Sequence, residues 1–232
     1  MVEKQQPVSF MLNALGEWQG KRTVYNGGTG VVPQARGQRL TQQMYSYILP
    51  KLQEEGVEQC LLEVIQENQR ALRIYQSLGF EIMRAFRCFR QAKEALVWHT
   101  HVAHEVVYTP VAHPDWGVYR MFWEVEPSWQ HHMAAMDRSH AYVHIIEAKV
   151  QDTCVGYGVV FSMTGAIAQL AVAPAWRGKG IGQGLVQQLM RVVTAPALSV
   201  INVEEQAHSL VQFLQGRKME EVLGQYEMIR PM

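Results

Sequence analysis

This chain repeats itself, and the repeat limits the folds open to it. Leu61-Leu62-Glu63-Val64-Ile65, a helical stretch and Leu78-Gly79-Phe80-Glu81 are echoed by Val200-Ile201-Asn202-Val203, a similar stretch and Lys218-Met219-Glu220. Aligning Phe80 with Met219 gives an offset of 139 (219 − 80), which also aligns Leu62 with Ile201 and Ala71 with Leu210. Upstream, each half has a strand-like run ending in proline, then Arg-Gly, then an amphipathic helix. The first reads Thr29-Gly30-Val31-Val32-Pro33-Gln34-Ala35-Arg36-Gly37 and the second Leu170-Ala171-Val172-Ala173-Pro174-Ala175-Trp176-Arg177-Gly178. A recurring order of elements implies two diverged copies of one folding unit, and 232 residues are enough for two. The segment Gln91 to His104 joins them, which places the boundary near Thr100 and the units at 1–99 and 100–232.

In the second copy the periodicity predicts, in order, a strand at Glu105–Thr109, helices at Pro114–Glu124 and Ser128–Arg138, and strands at Ala141–Glu147, Val155–Ser162 and Ala166–Val172. Ser128 is placed to cap its helix. A helix over Gly180–Val193 carries Ile181, Leu185, Leu189 and Val192 on one face. A strand at Leu198–Val203, a helix at Ala207–Gln215 and two closing strands, near Val222 and at Tyr226–Ile229, follow. Strands interleaved with helices in this order make a mixed α/β sheet. The first copy is shorter. A hairpin at Pro7–Leu15 and Lys21–Val32 precedes its Arg36-Gly37 turn, leaving no room for an opening β-α-α-β portion. The unit is either reduced or the remainder of a longer one. An incomplete sheet exposes an edge, and that edge is a surface for self-association into a homodimer.

Bulk properties narrow the function classes. Twenty-one Lys plus Arg balance twenty-one Asp plus Glu, and zero net charge argues against a large phosphate-backbone surface, hence against nucleic acid as a partner. Cys60, Cys88 and Cys154 form neither a disulfide framework nor a CxxC pair, which points to the reducing cytoplasm. The N-terminus is too polar for a signal peptide. The apolar tract Gly156–Trp176 is broken by Ser162, Thr164, Gly165, Gln169 and Pro174, so it reads as two strands and no membrane span. His99, His101 and His104 lie close together, as do His131 and His132, but no cysteine or carboxylate set completes a zinc site, so no metal is expected.

Chemistry concentrates at Arg177-Gly178-Lys179-Gly180-Ile181-Gly182, between a strand and a helix. Glycine there lets backbone N–H groups turn inward and approach a ligand. The helix adds the positive end of its dipole, and the whole suits a pyrophosphate. Arg177 and Lys179 contribute charge. The plain alternative is a surface turn that happens to be rich in glycine.

The spacing Gln/Arg-x-x-Gly-x-Gly/Ala, met by Arg177, Gly180 and Gly182, resembles the Gcn5-related N-acetyltransferase (GNAT) family, and the element order of the whole second half does too. The resemblance implies an α/β fold of two GNAT-like mixed units in tandem. The first is degenerate and lacks the N-terminal β-α-α-β portion. It implies acetyl-CoA as co-substrate, with Leu170, Ala171 and Val172 on the pantetheine and acetyl group and Arg177, Gly178, Lys179, Gly180, Ile181 and Gly182 on the pyrophosphate. The first copy has Arg39 and Thr41 where the pattern asks for small residues. It keeps Asn68 and Tyr75, however, and the family often uses such a tyrosine to protonate the leaving thiolate. The second copy has Leu214 there. The implied reaction is acetyl transfer to a primary amine, on a small molecule or a peptide. It needs a neutral amine, at about 4–5 kcal/mol for a lysine-like group at pH 7, and so a base. Glu147, His144 and Glu126 are candidate bases and Tyr226 a candidate acid, while the backbone N–H of Val172 is placed to polarise the carbonyl. A non-catalytic acyl-CoA-binding module is the alternative, because the usual acid is missing. The aromatic set Trp116, Tyr119, Phe122, Trp123 and Trp129 is expected either to wall the acceptor site or to pack as core.

Overall fold

The computed structural model describes residues 2–3, 6–98 and 105–232. His99, Thr100, His101 and His104 lie outside them, and with them the boundary between the repeats. The chain divides into two compact units, Met1–Ala85 with Gly224–Met232, and Phe86–Leu223.

In the first unit, two short strands, β1 (Val2–Glu3) and β2 (Gln6–Pro7), pair with each other. The hairpin β3 (Ser9–Trp18) and β4 (Lys21–Val31) follows, turned by Gln19-Gly20, both at positive φ. After a 3-10 turn at Pro33–Ala35 come α1 (Leu40–Glu54), β5 (Gln59–Ile65) and α2 (Gln69–Ser77). β4 and β5 run parallel from Thr23↔Gln59 to Asn26↔Leu62. Asn68 caps α2 by accepting from Ala71 N–H at 3.1 Å, a role its short amide suits. Val24, Tyr45, Cys60, Leu62, Phe80 and Met228 are central to the core, with Tyr45, Tyr75 and Phe80 meeting edge to face.

Two strands pass between the compact units. β6 (Glu81–Ala92) starts in the first, and its later residues pair antiparallel with β11 (Ala197–Glu204) of the second. β12 (Glu220–Pro231) starts in the second and ends against β5 of the first, from Gln225↔Ile65 to Pro231↔Gln59. Each repeat therefore gives its last strand to the other unit, and the compact units are not the repeats themselves. β12 is also one continuous strand where two short ones are expected. Its Gly224 is held in the ladder, its C=O accepting from Gln66 N–H at 3.0 Å, so the strand continues through the glycine.

The second unit adds β7 (Val107–Pro110), α3 (Trp116–Arg120), a 3-10 turn at Trp129–His131, α4 (Met133–Arg138), β8 (Val143–Val150), β9 (Thr153–Phe161), β10 (Ala166–Val172), α5 (Ile181–Val192) and α6 (His208–Gly216). Strands β7 to β10 form an antiparallel run. α5 packs its apolar face, Ile181, Leu185, Val186 and Leu189, on that sheet. The two opening helices are shorter than the periodicity predicts, because the segment 121–128 between them is not helical. Ser128 caps nothing: its hydroxyl accepts from Asn202 Nδ2 at 3.2 Å. The repeat is visible element by element. α6 follows α2, and β12 follows β6, at the offset of 139 (208 − 69; 220 − 81).

Candidate active site

β10 and β11 are parallel neighbours that meet at Ala166↔Ser199, with Ser199 N–H donating to Gly165 C=O at 3.0 Å. No further pair joins them among the described residues. β10 remains bonded to β9 along its other edge as far as Val172↔Gly156, while β11 turns off at a register shift between Val200 and Val203, where Asn202 takes φ 57°. Asparagine is among the few residues that tolerate this left-handed conformation. The result is a wedge whose β10 edge is unpaired by strand.

A cavity of about 510 Å³ fills this wedge, entirely within the second unit. Leu170, Val172, Val200, Val203, Leu210 and Phe213 form apolar walls, the segment Phe122–Ser128 lies across it, and the glycine turn closes one end. Of the turn residues expected at the pyrophosphate, Arg177, Gly178, Gly180, Ile181 and Gly182 line the cavity, as do Leu170, Ala171 and Val172. Gly178 (φ 76°) and Gly180 (φ 83°, the N-cap of α5) are both left-handed, and a Cβ on Gly178 would meet nothing within 4 Å. The turn thus leaves open space in front of the first N–H groups of a 12-residue helix, the arrangement that binds anions. This fits the pyrophosphate of acetyl-CoA.

The two cations of the turn are used differently from the expectation. Arg177 is a clamp: its Nε donates to Val172 C=O at 3.1 Å, one terminal nitrogen to Phe122 C=O at 2.9 Å and the other to Ser209 Oγ at 3.3 Å. Glu124 completes the tie by accepting from Ser209 N–H at 3.0 Å. Strand end, overlying segment and α6 are held by one guanidinium. Lys179 lies over the Trp176 ring, 4.4 Å from its centroid, and is not part of the cavity wall.

Behind β10 the cavity has a polar floor of buried side chains: Ser128, His131, Tyr157, Gln169 and Asn202. Trp123 Nε1 donates to the Tyr157 hydroxyl at 2.6 Å. That hydroxyl donates to Gln169 Oε1 at 2.5 Å, and Gln169 Nε2 donates to the His131 carbonyl. Burial pushes the Tyr157 hydroxyl well above its ordinary range and the His131 imidazole down to about 4, so both are neutral near pH 7. In the sequence His131 is half of a His-His doublet, and no motif marks it for this site.

The expected base and acid fall elsewhere. Glu147 is buried on β8, where it accepts from the Tyr119 hydroxyl at 2.8 Å and pairs with Lys149 at 3.0 Å; it does not line the cavity. Tyr119 in turn stacks on Tyr157 at 3.9 Å, so part of the aromatic set is core and part, Phe122 and Trp123, is cavity wall. His144 is exposed on β8. Tyr226 belongs to the first unit and packs against its core. Of the three proposed bases, Glu126 lines the cavity, and it pairs with His132 at 3.2 Å. Leu214 is buried in α6, so no tyrosine acid stands at that position. No group of three or more metal-ligating side chains occurs among the described residues.

The family model described as acetyltransferase (GNAT) family matches residues 4–80 and 110–215. No curated protein sequence matches the chain. Among solved structures, similar ones include a GCN5-related N-acetyltransferase from Sphaerobacter thermophilus, at 16% identity over 96% of this chain and 76% of that one, with a TM-score of 0.61. A putative acetyltransferase from Pyrococcus horikoshii matches at 12% identity, 99% and 71% coverage and a TM-score of 0.68. A tandem GNAT protein from the clavulanic acid biosynthesis pathway matches at 11% identity, 97% and 84% coverage and a TM-score of 0.65. At such identities these structures speak to the fold, a mixed α/β architecture of GNAT type. Since the family model spans most of the chain across both repeats, the chain belongs to the GNAT acetyltransferase family.

Proposed function

We propose that the protein is an acetyl-CoA-dependent N-acetyltransferase whose co-substrate site is the cavity of the second unit and whose acceptor is a primary amine on a small molecule or peptide. The observation that carries this is the open edge of β10 leading to a left-handed glycine turn at a helix N-terminus. A strand edge with free backbone groups accepts an extended amide chain as an added strand would, and pantetheine is such a chain. When bound, acetyl-CoA supplies an activated thioester. Leu170, Ala171 and Val172 hold the arm and present a backbone N–H to the carbonyl, Gly178, Gly180, Ile181 and Gly182 hold the pyrophosphate, and the apolar walls exclude water, which strengthens each of these contacts. The three cysteines are free, which fits a reducing cytoplasm.

Calorimetric titration tests the site. Acetyl-CoA binds the intact protein, and Gly180→Trp, which fills the turn, abolishes the heat while the protein stays folded. No heat with the intact protein overturns the proposal. Buried Leu214 favours a second reading, a non-catalytic acyl-CoA-binding module. Binding without thiol release for any acceptor, water included, selects it.

A further inference from the structure

The polar floor contains one group that the hydrogen-bond network leaves over. Ser128 and Asn202 bond each other, Tyr157 and Gln169 bond each other, and the His131 carbonyl takes Gln169 Nε2. The His131 ring, in a residue 6% exposed, makes no hydrogen bond to a described residue. His131 lines the cavity, and its ring nitrogens are not among the buried polar atoms that lack a partner, so the ring opens on the cavity and has a nitrogen to offer a ligand there.

Its position along the cavity matters. His131 is bonded through its carbonyl to Gln169, which stands beside the β10 register shift between Ile167 and Gln169. A strand rises about 3.3 Å per residue, so Gln169 is about 10 Å up β10 from Val172, where the glycine turn begins. His131 therefore sits at the end of the cavity opposite the turn, beyond the strand positions assigned to the arm. The titratable groups sharing the cavity with it are Tyr157, Glu124, Glu126, Glu204, Arg177 and Arg217. None of them accounts for its low basicity, which comes from burial alone.

We propose that His131 is the catalytic base of the second unit, the group that receives the proton of the attacking amine; this rests on the acetyl-CoA reading above. The amine lone pair forms the C–N bond at the thioester carbonyl carbon. The C–S bond breaks with its electron pair on sulfur. The N–H proton passes to the free imidazole nitrogen and from there to the departing thiolate, so one amine and one thioester give one amide and one thiol.

The test uses the full chain with acetyl-CoA and with water as the probe nucleophile. Calorimetry gives the affinity, and thiol release gives turnover at saturating acetyl-CoA. In His131→Gln, affinity stays within about twofold while thiol release falls about 100-fold, the scale of base catalysis. Independently of any variant, the His131 Cε1–H resonance of the wild-type protein shifts on adding acetyl-CoA and stays in place with adenosine 3′,5′-bisphosphate, which lacks the arm. Equal thiol release in variant and wild type, no thiol release from the acetyl-CoA-bound wild type, or an unmoved resonance at saturation each overturns the proposal. Absence of acetyl-CoA binding to the wild type is a different result, which removes the site reading beneath it.

Discussion

Gly165→Ala provides the most informative single perturbation of the wedge. Gly165 joins β9 to β10 at φ 72°, and a Cβ there would fall inside contact distance of the Ala197 carbonyl oxygen and at 3.3 Å from Val193 Cγ1. The left-handed φ alone costs alanine about 1 kcal/mol. The carbonyl is backbone, so relief requires moving the start of β11, and overpacking of this kind adds about 1–3 kcal/mol. The expected loss is about 2–4 kcal/mol, or roughly 5–15 °C in Tm for a protein of this size. Gly178→Ala in the same unit is the control, with φ 76° and open space around its Cβ, so it should lose the φ cost of about 1 kcal/mol and no more. Urea unfolding of both variants without ligand, followed by tryptophan fluorescence, separates the two contributions. The displaced strand is the one that meets β10 through Ser199 N–H and Gly165 C=O, so Gly165→Ala also weakens acetyl-CoA binding measured at a temperature where it is folded. A Gly165→Ala loss equal to that of Gly178→Ala within about 0.5 kcal/mol overturns the steric argument, because the Ala197 carbonyl would then add nothing to the cost of the left-handed φ.

Three further perturbations check the roles assigned to individual side chains. Arg177→Lys keeps the charge but cannot span Val172, Phe122 and Ser209. Acetyl-CoA affinity should fall about tenfold, about 1.4 kcal/mol, with the salt dependence of binding unchanged; a preserved affinity would mean that Arg177 serves as a point charge. Glu147→Ala strips the Tyr119 hydroxyl of its acceptor. It should cost about 1–3 kcal/mol in stability and leave thiol release per folded protein unaltered, whereas loss of turnover with intact stability would restore Glu147 as a base. The third is pH. The folded His131 imidazole is depressed to about 4 from an ordinary 6.5, so the unfolded chain binds the proton first as pH falls. Its contribution is full above pH 6.5 and is lost between there and pH 4, on the order of 3 kcal/mol. Urea midpoints over that range should drop for the wild type and drop less for His131→Gln.

What could be read in the sequence, and what could not, divides along a physical line. The sequence pattern gives β10 its observed ends and α5 and α6 theirs within about one residue, because each carries its own signal: an alternating or continuous apolar run, a 3.6-residue stripe, a glycine at the turn. The repeat was legible for the same reason, since both copies must solve the same local packing. Three features depended on partners remote in sequence and left no local trace. The exchange of β6 and β12 is one, because a strand has the same alternation whichever neighbour it joins. The short opening helices are another: Trp123 has periodicity enough for a helix, but its indole N–H is spent on Tyr157, 34 residues away, and Phe122 C=O on Arg177, 55 away. Those bonds reward a non-helical path that propensity cannot foresee. The third is the catalytic assignment. Glu147 has the chemistry of a base and a predicted place at a strand end, yet its carboxylate bonds Tyr119 and Lys149 and does not line the cavity. His131 sits in a stretch without pattern and reaches the cavity because the segment between α3 and α4 is drawn down onto β10 by Gln169 and onto β11 by Asn202. A binding turn is a backbone shape that neighbouring glycines encode; a base is a side chain whose role is set by which distant strand its loop is tied to. The cofactor half of a site like this is therefore legible locally, and the acceptor half becomes legible when the long-range hydrogen bonds that fold the loop are known.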